Sequence, residues 1–384
     1  MRVTFGSRGP PGPSRGSPTV DFTFSADQDA LRASVHDLLD DLAGRGRIRT
    51  MIDGDDSAID EMWRSFGELG WPSLLVPESA GGLGLGLVDA VVVLEEMGRV
   101  TLPGPFLSSS VCATTAAVAL GLDELLPDLA AGTTTGTLAL EELGHDDPVE
   151  RVRTRATRTG GRWVLDGLKP MVFDGAAADW VIVAARTQEG MGSFLVERPE
   201  MTPVEAMDPT RRVARLDLEA TAAEPVGPAG DHSAIWQRIS DTTAVALAAE
   251  LVGVCDASLE MAIAYAEARV QFDVPLSSHQ VIQHKLVDML HHTEMARVGV
   301  HFAAWSADVY DEHRSRSAAI AKAAAGEAAV SVTGENIQVH GAVGFTWDAD
   351  PHLLYKRAKQ NDVLGGSQSW HRRRVAAALL SPTP

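Results

Sequence analysis

The sequence predicts a mostly helical α+β protein in three parts: an N-terminal α-helical domain, a middle antiparallel β domain and a C-terminal four-helix bundle. Three observations support this prediction. Apolar residues recur at helical spacing from residue 21 to about 131. Short β-type runs separated by glycine-containing turns fill residues 132–232. Long Ala- and Leu-rich segments occupy residues 233–384, which is typical of an antiparallel bundle with short connections.

The N-terminal domain begins with a helix predicted from Ser25 to about Ala43, because its leucines and Val35 recur every three or four residues. Ser25 and Gln28 have the spacing of a capping box. Further helices are predicted over residues 58–69, 89–99 and 109–120. The glycine-rich run 81–84 has no lysine and no Walker spacing, so it indicates a tight connection rather than a phosphate loop.

Residues 1–20 differ from the rest of the chain. They hold three arginines, no acid and many Pro, Gly and Ser residues, so no periodic apolar face can form. This composition predicts a disordered tail.

In the middle and C-terminal parts, each element follows from its local pattern. Strands are predicted over residues 137–140, 151–157, 163–165, 180–185 and 193–196. The four helices of the bundle are predicted over residues 234–268, 279–311, 315–342 and 368–380.

Composition excludes several classes of function. The 384 residues carry 33 Lys+Arg against 52 Asp+Glu, a formal net charge of −19, which opposes sequence-independent binding to nucleic acid. No apolar run approaches the ~20 residues that span a bilayer, so we expect no membrane insertion. Cys112 and Cys255 are too few for a disulfide framework or a thiolate metal site, and no other cluster has metal-ligand spacing. A cytoplasmic protein without a metal is therefore expected.

Several motifs resemble the acyl-CoA dehydrogenase family of flavoproteins, especially its bacterial members. The most specific are RVQFDVPL at residues 269–276 and IQVHGAVGFTW at residues 337–347, supported by GWP at 70–72 and WVLDGLK at 163–169. The resemblance covers nearly all of residues 21–380. It implies an FAD-dependent oxidoreductase of CH–CH groups that desaturates an acyl-CoA thioester, with an electron-transfer flavoprotein or a similar acceptor. Many bacterial members act on bulky acyl-CoAs in lipid or steroid catabolism.

The resemblance assigns one set of cofactor contacts to the end of the bundle. In the family, residues matching Arg269, Phe272 and Gln280 reach the FAD of a neighbouring subunit, and a planar guanidinium suits a pyrophosphate. Asp273 replaces a glycine that is usual in the family. Arg269 could instead simply complete its helix, where a cation suits the macrodipole.

A second set matches the family segment that contacts the adenosine end of FAD across the dimer interface. Gln338 and Gly341 fit this pattern, whereas Ala342 stands where a second glycine is usual. His340 between them has a structural or a hydrogen-bonding role.

The residues expected beside the flavin ring depart from the family. Met171, Val172 and Phe173 replace Trp-Ile-Thr, so the hydroxyl near flavin N5 is missing. Residues 140–147 match the family stretch Thr-Glu-Pro-Gly-Ala-Gly-Ser-Asp only loosely.

The catalytic base is the largest departure, because desaturation needs a carboxylate near the α carbon. Gly365 occupies the position of the usual glutamate, and Thr243 occupies the position used by a minority of members. No catalytic residue is therefore assigned. Glu250 and Asp362 remain as alternates, with packed and solvated roles as the simpler interpretations.

Three hypotheses follow. The chain is a subunit of a heterotetramer in which a paralogous subunit supplies the base; this is the first hypothesis. Alternatively, it is a self-sufficient homodimer or homotetramer with a relocated base, or a flavin-free binding or scaffold homologue. The basic C-terminal segment, which includes Lys356, Arg357 and residues 372–374, is expected to be an interface and anion-binding element.

Overall fold

The computed structural model describes residues 25–144 and 146–380. The predicted tail, residues 1–20, lies outside the described residues. The predicted fold class is confirmed: helices, then a β domain, then a helical bundle.

The N-terminal part is helical throughout. Its helices are α1 (Ala26–Leu42), α2 (Arg45–Ile52), α3 (Asp56–Glu68), α4 (Leu87–Arg99), α5 (Thr114–Leu120) and α6 (Leu126–Ala131). The predicted capping box is present: Ser25 Oγ accepts from the Gln28 amide at 3.2 Å, and Gln28 Oε1 accepts from the Ser25 amide at 3.0 Å. Helix α2 was not predicted, because only Ile48 and Met51 give it a buried face.

The middle part is a seven-stranded sheet. Its strands are β1 (Gly136–Ala139), β2 (Arg155–Thr159), β3 (Arg162–Phe173), β4 (Trp180–Thr187), β5 (Gly190–Glu197), β6 (Thr202–Val204) and β7 (Val213–Val226). Pairing runs β4-β2-β3-β7-β5 and returns to β4, so the sheet closes on itself. Most pairs are antiparallel as predicted, but β1 and β2 each pair with β4 in parallel.

The C-terminal part contains more than the four predicted helices. It consists of α7 (Ser233–Ala268), the short hairpin β8 (Val270–Gln271) and β9 (Val274–Pro275), α8 (Gln280–Val309), α9 (Arg314–His340), α10 (Pro351–Val363) and α11 (Gln368–Leu380). The prediction missed α10. Its sequence is rich in charged and amide side chains, and several of these are buried by polar partners rather than by an apolar stripe.

Two close contacts fix the position of the bundle. Gly98 of α4 and Gly253 of α7 face each other's helix so closely that a Cβ on either would overlap a backbone carbonyl. The fully buried Arg357 of α10 pairs with Asp208 of the middle part and donates to the carbonyl oxygen of Thr101 at 3.1 Å. One guanidinium therefore joins all three parts of the molecule.

Candidate functional site

One cavity is lined by both residues that are predicted to match the family's base positions. Gly365, in the loop between α10 and α11, and Thr243, on α7, face it together with Met171 and Phe173 of β3. The cavity measures about 30 Å³, which is room for about two water molecules. The structure thus brings the two predicted base positions to one cavity, but the space between them is small.

One carboxylate lines this cavity, and the sequence did not single it out. Glu141 Oε1 accepts a hydrogen bond of 3.2 Å from the backbone amide of Gly365. Burial raises the pKa of Glu141, while the Gly365 amide and the charges of Lys322 and Lys169 oppose that rise. Its place in the loosely matching stretch 140–147 was the available signal, but its partner lies 224 residues away.

Thr243 is bound to its surroundings by its hydroxyl. Its Oγ1 donates to the carbonyl oxygen of Ile239 at 3.0 Å and lies 3.4 Å from Cys112 Sγ. Burial raises the pKa of the Cys112 thiol to about 12. Neither side chain can accept an α proton at neutral pH.

The loop at the predicted main base position makes a tight turn at Gly365 and Gly366. Gly365 and Gly366 have φ of +68° and +95°, a region that favours glycine. A Cβ on Gly365 would lie 3.0 Å from Leu247 Cδ1, and one on Gly366 would overlap the Trp370 ring.

His371 holds the same turn. Its Nε2 donates to the carbonyl oxygen of Gly365 at 2.8 Å, while Nδ1 has no hydrogen-bond partner among the described residues. Burial, reinforced by the charge of Lys322, lowers the pKa of His371 to about 3. The ring is therefore neutral and carries its proton on Nε2.

The two alternate bases lie outside the cavity lining. Glu250 is 3% exposed and is held by Arg211 and by Asn361 Nδ2, the latter at 2.8 Å. Asp362 accepts from Gln368 Nε2 at 2.7 Å, and its backbone oxygen accepts from Lys322 Nζ at 3.0 Å. Both carboxylates therefore have polar partners within the fold.

The predicted FAD contacts lie together on the surface. Helices α7 and α9 end at the same end of the bundle, where Tyr265 stacks on His340 with ring centroids 4.2 Å apart. All six predicted cofactor residues are exposed: Arg269, Phe272, Gln280, Gln338, Gly341 and Ala342. Phe272 among them is 88% exposed.

The hairpin β8–β9 shows why a glycine is usual in the family at one of its turn positions. Phe272 and Asp273 form its turn with φ of +53° and +64°, values that cost a non-glycine residue about 1–2 kcal/mol each. A glycine, which is usual at the Asp273 position, would remove part of this strain. The Arg269 carbonyl anchors the hairpin by accepting from the Leu276 amide at 2.8 Å.

These surface side chains have unused hydrogen-bonding groups. Across residues 25–144 and 146–380, no carboxylate lies within ion-pair distance of Arg269, and the side chains of Gln280 and Gln338 make no hydrogen bond. The fit to FAD is thus divided. The exposed end of the bundle offers a guanidinium, an aromatic ring and free amides. The cavity has Phe173 where the family has a hydroxyl side chain beside the flavin ring, and it has little space.

A wider groove adjoins the cavity. It measures about 400 Å³, contains Arg238 and Arg314, and shares Ile239 as a wall with the cavity. Arg314 donates to Thr242 Oγ1 at 2.9 Å, and its ion pair with the exposed Asp311 is long, at 3.9 Å. Asp308 also lines the groove, and Arg238 pairs with Asp311 at 2.7 Å, so acidic neighbours offset part of the groove's positive charge.

The basic C-terminal residues do not form the expected anion-binding element. Arg357 is buried against Asp208, and Lys356 lies 4.5 Å from the Trp347 ring centroid. The three consecutive arginines pair within the chain: Arg372 with Glu327, Arg373 with Asp146 and Arg374 with Asp241. Nearby acids on other elements, which the local charge count omits, account for the difference.

In the part of the chain that the structure describes, no group of three His, Cys, Asp or Glu side chains is arranged to hold a metal ion. No described helix is both long and apolar enough to cross a membrane.

Comparison with known proteins agrees with the fold. The acyl-CoA dehydrogenase N-terminal domain matches residues 25–144, and the acyl-CoA dehydrogenase C-terminal domain matches residues 235–380. The acyl-CoA dehydrogenase IpdE2 of Mycobacterium tuberculosis is 33% identical over 330 residues, covering 85% of this chain and 89% of that protein. The chain belongs to the acyl-CoA dehydrogenase family.

Two solved structures are similar over almost the whole chain. The ChsE4–ChsE5 complex from Mycobacterium tuberculosis matches with a TM-score of 0.85 at 28% identity, covering 95% of this chain and 100% of the matched chain. A variant of the steroid ACAD Tcur3481–Tcur3483 matches with a TM-score of 0.81 at 29% identity, covering 92% of this chain and 97% of the matched chain.

Proposed function

We propose that the chain is a cytoplasmic subunit of an FAD-dependent acyl-CoA dehydrogenase that desaturates an acyl-CoA thioester between its α and β carbons. In this proposal a paralogous subunit supplies the base. This chain completes the FAD site of that partner.

The proposal is supported by a contrast between the exposed end of the bundle and the cavity. The six residues predicted to contact a neighbour's FAD are exposed at one end of the bundle. In the same chain, neither family base position holds a carboxylate, and the cavity between them measures about 30 Å³. The residues proposed to serve a partner are thus exposed, whereas the carboxylate that does line the cavity, Glu141, is held by the backbone amide of Gly365 at 3.2 Å.

The chemistry assigns separate tasks to the two subunits. Bound FAD supplies an acceptor for the β hydride in enzymes of this family. On this chain, Arg269 presents a planar fork of donors suited to pyrophosphate oxygens. Phe272 offers an apolar face to the cofactor, and the partner provides the carboxylate that removes the α proton.

The substrate class follows from the family and the groove. Arg238 and Arg314 line a 400 Å³ groove together with Asp308, and their guanidinium groups could donate to the phosphates of a CoA ester if Arg238 released Asp311. Because a similar solved protein is a steroid ACAD, we include bulky steroid-derived acyl groups in the proposal. Reoxidation by an electron-transfer flavoprotein or a similar acceptor is part of the same proposal.

Co-expression with a paralogous subunit from the same gene neighbourhood tests the proposal. We expect a heteromeric complex that retains FAD through gel filtration, and several-fold weaker FAD retention after Arg269→Ala. Arg372→Ala is the matched control, because Arg372 is an exposed arginine with an internal partner, Glu327. Equal FAD retention in the two variants would contradict the assigned role of Arg269.

A further inference from the structure

The cavity of this chain coincides with the place where its own flavin ring would be expected. Met171 and Phe173, which match the family residues flanking the ring, line it together with Leu140 and Glu141 of the matching stretch 140–147. The same cavity contains Gly365. The ring position and the base position of this chain are therefore one space.

That space is too small for the ring. Pockets that hold small ligands typically measure about 300–1,000 Å³, whereas this cavity measures about 30 Å³. The neighbouring groove of about 400 Å³ does not relieve the restriction, because the buried Ile239 stands between the two.

Two side chains on opposite sides account for the closure. Glu141, just after β1, reaches across the cavity to the Gly365 amide. Phe173 places a phenyl ring where the family has a small hydroxyl side chain, and Arg211 lies 5.9 Å from that ring's centroid.

Neither wall can easily move away. His371 Nε2 holds the carbonyl oxygen of Gly365 at 2.8 Å. The buried Lys169 holds the stretch that carries Glu141, by donating to Leu140 O at 3.1 Å and to Glu142 Oε1 at 2.9 Å. The hydrogen bond between Glu141 and Gly365 thus joins two segments that are each anchored independently.

From these contacts we infer that Glu141 and Phe173 close this chain's own flavin-ring cavity, so that the chain contacts a flavin only through its exposed bundle end. The inference builds on the proposed function by fixing which of two possible sites is used. In a complex of equal numbers of the two subunits it predicts one FAD for every two chains.

The test uses lumiflavin, which has the ring but no phosphates and so does not require Arg269. Purified full-length chain is titrated with lumiflavin, and quenching of its fluorescence is followed. We expect no saturable quenching for the wild type. For Glu141→Ala/Phe173→Thr we expect saturable quenching. Its Kd should be at least about tenfold lower than the weakest Kd that the titration of the wild type could detect.

A matched variant distinguishes closure of the cavity by Glu141 from a general loosening of the fold. Glu150→Ala/Phe173→Thr removes an exposed glutamate of the same loop instead of Glu141, and we expect weaker quenching than in the first double variant. Circular dichroism establishes that each variant is folded. A folded Glu141→Ala/Phe173→Thr chain that binds no lumiflavin would overturn the assignment of closure to these two side chains.

A second comparison does not depend on the double variants. Thr243→Met adds bulk to the cavity wall. If the wild type bound lumiflavin saturably and Thr243→Met abolished that binding, the inference that the cavity is closed would be overturned. Failure of the proposed function is seen separately, as equal FAD retention in the Arg269 and Arg372 variants of the complex.

Discussion

The backbone amide of Gly365 donates a hydrogen bond of 3.2 Å to the carboxylate of Glu141. Gly365 is the residue predicted to match the family's usual base position, and a carboxylate from another segment lies beside it. This carboxylate serves as a bridge between the middle domain and the bundle. We infer that this contact helps to close the cavity while the chain keeps the family's architecture.

Restoring the missing glutamate should fail. Gly365→Glu places a side chain at φ +68° with its Cβ 3.0 Å from Leu247 Cδ1, so strain and overpacking act together. Gly121→Glu is the control, because Gly121 has φ +70° and open space around it. Urea unfolding should show a loss for Gly365→Glu about 1–3 kcal/mol larger than for the control. Equal losses would mean that the turn can adapt.

Glu250 should prove structural. Its carboxylate pairs with Arg211 and lies 3.8 Å from Arg357, all three being buried. Removing its charge leaves the buried Arg211 guanidinium without its carboxylate partner, so Glu250→Gln should lower the free energy of unfolding by about 3 kcal/mol or more. Asp311→Asn, at an exposed ion pair, should cost less than about 1 kcal/mol. A fully stable Glu250→Gln variant would contradict this structural role.

Acid should destabilise the fold through His371. Burial, reinforced by the charge of Lys322, lowers its folded-state pKa to about 3 from an ordinary value of 6.5. Between these values the unfolded chain binds the proton more readily, so the free energy of unfolding falls as pH drops below 6.5. His371→Gln keeps a donor for the Gly365 carbonyl but has no titrating group. Unfolding measured across this pH range should therefore show a shallower slope for the variant, and an unchanged slope would exclude His371 as the cause.

Phe272 should matter for the cofactor but not for the fold. Its side chain is 88% exposed at the hairpin turn, so Phe272→Ser should change the free energy of unfolding by less than about 0.5 kcal/mol. In the complex with the partner we expect several-fold weaker FAD retention. Leu379→Ser, at another exposed apolar residue, serves as the control and should leave FAD retention unchanged.

The sequence predicted what depends on local pattern. The capping box of Ser25 and Gln28, the long helices of the bundle and the order of the three parts all follow from spacing within a few residues. Helix α10 escaped prediction because its buried side chains include Arg357 and Asn361, whose partners are on distant elements. Periodicity alone does not reveal a helix that is buried through polar contacts.

In the candidate site, too, features set by local sequence were predicted and features set by distant contacts were not. The two predicted base positions, Gly365 and Thr243, line one cavity, and the residues predicted to contact FAD lie at one end of the bundle. Glu141 was missed because its role depends on a contact across 224 residues. The C-terminal arginines were misread because their acidic partners are close in space and distant in sequence.

The central claim is that this chain completes a partner's active site and does not turn over substrate in its own. The most direct test is an anaerobic titration of the lone chain, in the presence of added FAD, with an acyl-CoA, followed by addition of the paralogous subunit. We predict no bleaching of the flavin absorbance with the lone chain, and bleaching after the partner is added. Strong bleaching of the flavin by the acyl-CoA with the lone chain would contradict the claim.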